Sequence, residues 1–141
     1  MTIRRIHTVA VQLAGAALAC LSLAAAAAEH QLTLNGASEV PAVTTQAAGS
    51  GTVTIGDDRS VRASIRTTGM NATAAHIHMG AAGANGPVIV PFKKDGDAWV
   101  PANATARLTD DQYAAYKAGN LYVNVHSAAH PGGEIRAQIK P

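Results

Sequence analysis

The stretch GTVTIGDDRSVRASIR, residues 51–66, decides the fold class. In Gly51–Ile55 the polar residues alternate with valine and isoleucine, and Ser60–Arg66 continues the same alternation with arginine and serine on the polar side. Strict alternation over five to seven residues is typical of a half-buried strand in an antiparallel sheet. Gly56-Asp57-Asp58 has the composition of a turn. The stretch therefore predicts two strands joined by a turn.

Similar runs recur along the rest of the chain. Further strands are predicted over residues 31–35, 74–79, 87–92, 97–100, 121–126 and 134–139. The prolines that bracket 87–92 place that strand at a sheet edge. One helix interrupts the strands, because Thr109-Asp110-Asp111-Gln112 is a capping box and Gly119 supplies a C-terminal stop. Seven or eight strands with one short helix predict an all-β fold, either a β-sandwich or a Greek-key barrel.

Residues 1–28 have the organisation of a signal peptide that is cleaved on export. The segment begins with Arg4 and Arg5, continues as an uncharged apolar run from position 9, and ends with Ala26 and Ala28 at the −3 and −1 positions. Signal peptidase recognises this pattern. An uncleaved membrane anchor is the alternative, since about 20 apolar residues can span a bilayer. The polyalanine end and the polar sequence after it favour cleavage.

The cysteine of the leader raises the alternative of a lipoprotein signal. In Ala17-Leu18-Ala19-Cys20 the leucine lies one place later than in the usual lipoprotein pattern, so this alternative is the weaker one. Cleavage after Ala28 leaves residues 29–141 as one small domain without a cysteine. We therefore expect a periplasmic or secreted protein whose stability comes from a hydrophobic core or a bound metal, since no disulfide can form.

The charge of the predicted mature domain is close to neutral. The 11 basic residues of the whole chain lose Arg4 and Arg5 with the leader and then balance the 9 acidic ones. A basic stripe of the kind that binds nucleic acid or an anionic membrane is absent from the sequence. We expect neither nucleic acid nor, after cleavage, a membrane as a partner.

Histidines are the strongest candidates for a functional site. His76-Ile77-His78 on a strand places both imidazoles on one face, about 6.5–7 Å apart along the backbone. His126 ends a later strand, on the face that Asn124 also occupies, and His130 follows in the next turn. If the two strands are neighbours, His76, His78 and His126 form a metal site, with His130 as a fourth ligand and Asn124 orienting a ligand.

Copper is the metal that this ligand set favours. An oxidising compartment offers Cu(II), and an all-nitrogen set without thiolates matches that ion. Zinc is the alternative, because three histidines and a water also describe an open zinc site. Because the ligands must be deprotonated, binding should weaken below about pH 6, where free histidine protonates. Cleavage after Ala27 would create a separate Cu(II) chelator at the new N-terminus, Ala28-Glu29-His30.

Three motifs resemble those of the CHRD (chordin-type) domain. Leu34-Asn35-Gly36-Ala37-Ser38-Glu39-Val40-Pro41 is similar to its opening motif, and His76-Ile77-His78-Met79-Gly80, followed by Asn85-Gly86-Pro87-Val88, to its central one. Tyr122-Val123-Asn124-Val125-His126, with His130-Pro131 and Gly133-Glu134-Ile135-Arg136, is similar to its closing motif. Ser38, Ala42 and Ala137 depart from the usual residues. The resemblance covers residues 31–139.

This resemblance implies an extracytoplasmic, immunoglobulin-like β fold and little about activity. In animals such domains occur in chordin, an extracellular antagonist of growth factors. The segment Ala75-His76-Ile77-His78 also resembles the copper-binding strand of copper/zinc superoxide dismutase, although the zinc-loop pattern and the cysteines of that enzyme are missing. The alternative to a metal-binding module is therefore an extracellular protein-interaction or adhesive domain whose histidines are structural.

We do not expect an enzyme. Ser127 beside His126 is not a triad arrangement, and no nucleophile elbow, phosphate loop or dinucleotide fingerprint is present in the sequence. Glu134 and Arg136 lie on one face of the last predicted strand. We predict that they form a structural ion pair with each other or with a neighbour.

The leader generates the first testable prediction. Protein recovered from the periplasm or the medium should begin at or near Glu29, because the small residues at −3 and −1 direct cleavage after Ala28. N-terminal sequencing and intact mass measure this. A mass that still contains residues 1–28, or a lipid on Cys20, would contradict it.

Overall fold

The computed structural model describes residues 27–141, which fold into eight strands, a 3-10 turn and one α-helix. The strands are β1 (Ala27–Asn35), β2 (Ala48–Gly56), β3 (Val61–Thr68), β4 (Ala72–Met79), β5 (Val88–Asp95), β6 (Ala98–Pro101), β7 (Leu121–Ser127) and β8 (Ile135–Ile139). The 3-10 turn spans Gly36–Ser38, and the helix α1 spans Asp110–Lys117. Each strand expected from the sequence is present, with its ends moved by a few residues.

The predicted signal peptide, residues 1–28, lies outside the described residues except for Ala27 and Ala28, and Cys20 lies outside them as well. Ala27 and Ala28, the last two residues of the predicted leader, begin β1 opposite Gly56 and Ile55. In the part of the chain that the structure covers, no helix is long and apolar enough to cross a membrane. Export and the position of cleavage stay predictions.

The strands form a closed antiparallel barrel in the order β1-β2-β3-β6-β5-β4-β7-β8. Two connections are of the Greek-key type: β3 lies beside β6, and β7 lies beside β4 on the far side of the β4-β5-β6 meander. The barrel is one of the two architectures that the sequence predicted, and the all-β class with one short helix is confirmed. The crossing that pairs β4 with β7 is the one that positions the histidines.

The prediction of an edge strand at 87–92 is wrong. β5 has a neighbour on each side, because Val88, Val90 and Pro91 pair with β4 while Phe92–Asp95 pairs with β6. Pro91 sits where β5 passes from one partner to the other. A proline without an N–H is accommodated at that point without interrupting a continuous ladder.

The core fills the inside of the barrel with alternate residues of each strand. In β3, Val61 and Ile65 are buried while Arg62 and Arg66 are exposed, as the alternation predicted. The buried apolar residues of the other strands include Leu34, Val53, Ile55, Ile77, Val90, Leu121, Val123, Val125, Ile135 and Ile139. Packing of this cluster takes the place of a disulfide in the described domain.

β7 and β8 are buried on both of their faces. Tyr122 and Asn124 lie on the outer face and are nevertheless 1% exposed each, and Arg136 on β8 is 3% exposed. The sequence predicted a polar outer face here. Loops cover this face, so its polar side chains have to be satisfied within the protein.

The helix is capped as the sequence predicted. Thr109 Oγ1 accepts a hydrogen bond from the Gln112 N–H at 3.2 Å, and the Thr109 N–H donates to Gln112 Oε1 at 2.9 Å. Asp110 and Asp111 lie in the first turn, where the helix dipole favours negative charge. Tyr116 anchors the helix in the core.

Thr109→Ala should therefore lower the free energy of unfolding by about 1 kcal/mol through loss of the cap. Thr109→Ser keeps the hydroxyl and is the matched control. Urea denaturation of both variants and the parent measures the difference. Equal stability of the alanine variant and the parent would show that the cap does not contribute.

Candidate metal centre

The pairing of β4 with β7 brings three of the predicted ligands together. His76 lies opposite Asn124, His78 opposite Tyr122, and Ala74 opposite His126, so that all three imidazoles are on the outer face. One nitrogen from each of His76, His78 and His126 lies within 4.8 Å of the others. The adjacency that the sequence required of these two strands is thus present.

Two backbone carbonyls orient two of the rings. His78 Nδ1 lies 2.9 Å from the Gly86 carbonyl oxygen, and His126 Nδ1 lies 2.9 Å from the Pro131 carbonyl oxygen. A carbonyl oxygen only accepts, so each Nδ1 carries the proton and each Nε2 carries a free lone pair. Metal-binding histidines are typically held by such a bond to the nitrogen that does not bind the metal.

His78 Nε2 has no hydrogen-bond partner among the described residues although it is buried. A buried acceptor without a hydrogen-bond partner lowers the free energy of unfolding by about 1–3 kcal/mol. A ligand that binds to the atom removes this penalty. His126 Nε2 lies 3.0 Å from His76 Nδ1, which donates to it because His126 Nδ1 holds the other proton. Binding of a metal through His76 Nδ1 requires that proton to move to His76 Nε2.

The environment of His76 and His78 favours the neutral form of these two imidazoles. Burial lowers the pKa of His76 to about 4, and the neighbouring His126 and His78 add to this effect. Burial also lowers the pKa of His78, against the opposing effect of the hydrogen bond to Gly86. Protonation of these two residues should therefore weaken metal binding only at a pH below the value near 6 that the sequence predicted.

His78 lies at one end of a stack of three planar groups. The Tyr122 ring is stacked on the His78 ring with centroids 4.9 Å apart and planes 7° from parallel. The guanidinium carbon of Arg136 lies 3.9 Å from the centre of the Tyr122 ring. Arg136 Nε donates to Glu39 Oε2 at 2.9 Å, so Arg136 pairs with a neighbour rather than with Glu134, one of the two predicted outcomes.

Asn124, which the sequence predicted to orient a ligand, lies on β7 opposite His76 and is buried. Its Oδ1 is buried and has no hydrogen-bond partner in the described part of the chain, and the same holds for Oε1 of Glu39, whose pKa is raised by burial. A Cβ at position 133 would lie 2.6 Å from both Asn124 Nδ2 and Glu39 Oε1, which explains why glycine, at φ 128°, occupies it. Asn124 and Glu39 therefore belong to a closely packed polar layer on the outer face of β7 and β8.

The other two histidines within residues 27–141 lie elsewhere. His130 belongs to the turn after β7, where its N–H donates to Ser127, and it lines a surface cleft with Glu39, Val40 and Asn85. It is not part of the three-histidine group. His30 lies on β1, with Nε2 at 2.7 Å from the Tyr116 hydroxyl.

Several residues that shape the site had no signal in the sequence. Gly86 and Pro131 act through carbonyl oxygens, which every residue carries, and Glu39 comes from a loop far away in the chain. Tyr122 could have been found, because alternation along β7 puts it on the same face as His126. Arg136 was predicted to be in an ion pair but not to stack on Tyr122.

Comparison with known proteins gives one match. The family model described as CHRD domain matches residues 30–139, from β1 to the end of β8. No curated protein and no solved structure shows significant similarity to the chain.

The lowered pKa of His76 generates a prediction about stability. The unfolded chain protonates this residue near pH 6.5 and the folded protein only near pH 4, so between these values the unfolded chain holds more protons. With a chelator present, the free energy of unfolding should fall as the pH falls through this window. His76→Asn, which keeps a donor near the Nδ1 position, should show a shallower fall. Urea unfolding between pH 4 and 7 measures both slopes, and equal slopes would contradict the assignment.

Proposed function

This chain belongs to the CHRD domain family, and we propose that it is exported and binds copper outside the cytoplasm, in the periplasm or the medium. The ligands are His76, His78 and His126. The role is to hold, buffer or carry the ion rather than to catalyse a reaction.

One observation carries the proposal. The buried Nε2 of His78 is left without a partner, while the Nδ1 of the same ring is held by the Gly86 carbonyl. The Pro131 carbonyl holds His126 in the same tautomer, with its lone pair directed toward His76. A metal ion would bind the lone pair of His78 Nε2 and, once the His76 proton has moved to Nε2, the lone pairs of His76 Nδ1 and His126 Nε2.

Copper fits the donors and the expected compartment better than other ions. Imidazole nitrogens without thiolate or several carboxylates favour Cu(II) or Zn(II) over Mg(II) and Ca(II). Affinities of a given nitrogen site rise to a maximum at copper in the first-row series, which favours Cu(II) over Zn(II). Zinc with three histidines and a water is the alternative.

A second candidate function is a protein-interaction or adhesive domain with structural histidines. The His76–His126 hydrogen bond and the stacking of His78 on Tyr122 support it, because they show that these rings also make contacts with each other and with the protein. The partnerless His78 Nε2 is the feature that this alternative leaves unexplained.

The test is the replacement of His76, His78 and His126 together by alanine. Cu(II) affinity, measured by competition with a chelator, should fall by more than the roughly 10- to 100-fold typical of losing an outer-sphere partner. Replacing the buried His78 changes the packing, so His76→Ala alone is the second variant. His76 is half-buried, and this variant should keep the fold and weaken Cu(II) binding. Zn(II) competition measured alongside decides between the two metals.

His130→Ala and His30→Ala are the matched controls. His130 lies outside the three-histidine group, so its loss should leave the affinity unchanged, while a decrease would identify it as the fourth ligand predicted from the sequence. His30→Ala reports any copper bound near the N-terminus. A folded triple variant that binds copper as tightly as the parent would leave the interaction-domain function in place of this one.

A further inference from the structure

We propose that Arg136 is a positioning residue of the metal centre: it holds the β4–β5 loop, residues 80–87, against the barrel, fixes His78 through that loop, and slows release of the metal. The part that concerns release depends on the proposed function. Arg136 makes no hydrogen bond to the three histidines in the described structure, so its effect on them is indirect.

Arg136 on β8 connects to two loops, the one after the 3-10 turn and the β4–β5 loop. Its Nε donates to Glu39 in the loop after the 3-10 turn, and its two terminal nitrogens donate to the β4–β5 loop. The distances are 3.0 Å from Nη1 to the Ala84 carbonyl oxygen and 2.5 Å from Nη2 to Asn85 Oδ1. Asn85 continues the connection, because its Nδ2 donates to the Val40 carbonyl oxygen at 2.8 Å.

The loop that Arg136 holds carries the carbonyl that orients His78. Gly86 follows Asn85 directly, and its oxygen accepts the proton of His78 Nδ1. The Gly86 N–H donates to the Tyr122 hydroxyl at 3.1 Å, and the Tyr122 ring lies between His78 and Arg136. Arg136 therefore acts on His78 by two routes, through the loop backbone and through the tyrosine ring.

Arginine is required at this position by its shape and not by its charge alone. A planar guanidinium donates in three directions at once while its face rests on an aromatic ring, and an ammonium cannot do both. Arg136 and Glu39 each have side chains 3% exposed, so the charge is compensated by a buried partner. Lysine would keep a cation beside Glu39 and lose the contacts to the loop.

Two variants separate this role from simple stability. Arg136→Lys removes the forked contacts within the buried layer. Asn85→Ala removes the bonds of the loop to Arg136 Nη2 and to Val40 and keeps the bond from Nη1 to the Ala84 carbonyl, at an exposed position where a change does not open the core. Arg66→Lys, on the exposed face of β3, is the control for an arginine-to-lysine change that should have no effect.

The first measurement uses the metal-free protein. Nitrogen-15 NMR of the imidazoles should show His78 protonated at Nδ1 in the parent and in Arg66→Lys. Both test variants should gain a population protonated at Nε2, because the Gly86 acceptor is no longer held in place. If both variants keep the tautomer of the parent and lose only thermal stability, Arg136 is merely structural and the proposal is overturned, whether or not the protein binds copper.

The second measurement uses the copper-loaded protein. Transfer of Cu(II) to an excess of chelator should be about 10- to 100-fold faster from both variants than from the parent, with a changed nitrogen hyperfine pattern in the EPR spectrum of Arg136→Lys. A shifted tautomer with an unchanged transfer rate would overturn the part that concerns release. If the parent protein binds no copper, the proposed function and the effect of Arg136 on release are both refuted. The tautomer of His78 in the metal-free protein would still test the positioning role of Arg136.

Discussion

The pairing of β4 with β7 is the constraint on which the rest of the structure depends. On the inner face, this register packs Ile77 against Val123 and Val125 in the core. On the outer face, the same register brings His126 next to His76 and His78. Because side chains alternate along a strand, a shift by one residue would move the apolar residues out of the core and the histidines into it. The stability of the barrel and the geometry of the candidate metal centre therefore depend on the same strand register, which burial of the core holds in place.

On the outer face of β7 and β8 this arrangement buries polar side chains. Buried polar groups destabilise a protein unless each finds a partner, and here a buried arginine, glutamate, asparagine and histidine occur side by side. The structure satisfies most of them by laying loops over the sheet: Glu39 pairs with Arg136, and backbone carbonyls accept from the rings and the guanidinium. The close approach of Gly133 shows how little room is left. The atoms of His78, Asn124 and Glu39 that have no partner within residues 27–141 belong to this layer, next to the candidate metal centre.

The lowered pKa values of His76 and His78 and the hydrogen bonds that hold the rings fit a metal site that is formed before an ion binds. Desolvation lowers the pKa of His76 and His78, which leaves lone pairs free near neutrality without any proton having to be displaced into solvent from these two rings. The rings differ in depth, since His78 is buried while His76 is half-buried. In the proposed metal site His78 would be the more buried ligand, and His76, whose proton would have to change nitrogen on binding, the more exposed of the two.

Alternation, turn residues and the capping box determined the all-β class, the strands and the helix of this protein, because these features depend on neighbours within a few residues. The sequence also identified His76, His78 and His126, since residue type and strand parity are local properties. It left open whether the sheet closes into a barrel and whether β4 and β7 meet, because pairing of strands about 50 residues apart depends on how the whole core packs. Only the tertiary structure decided three further points. His130 lies outside the three-histidine group, Glu39 pairs with Arg136, and the Gly86 and Pro131 carbonyls bind the rings of His78 and His126. Contacts of a backbone carbonyl leave no trace in residue identity, and they arise only when distant segments are brought together by burial.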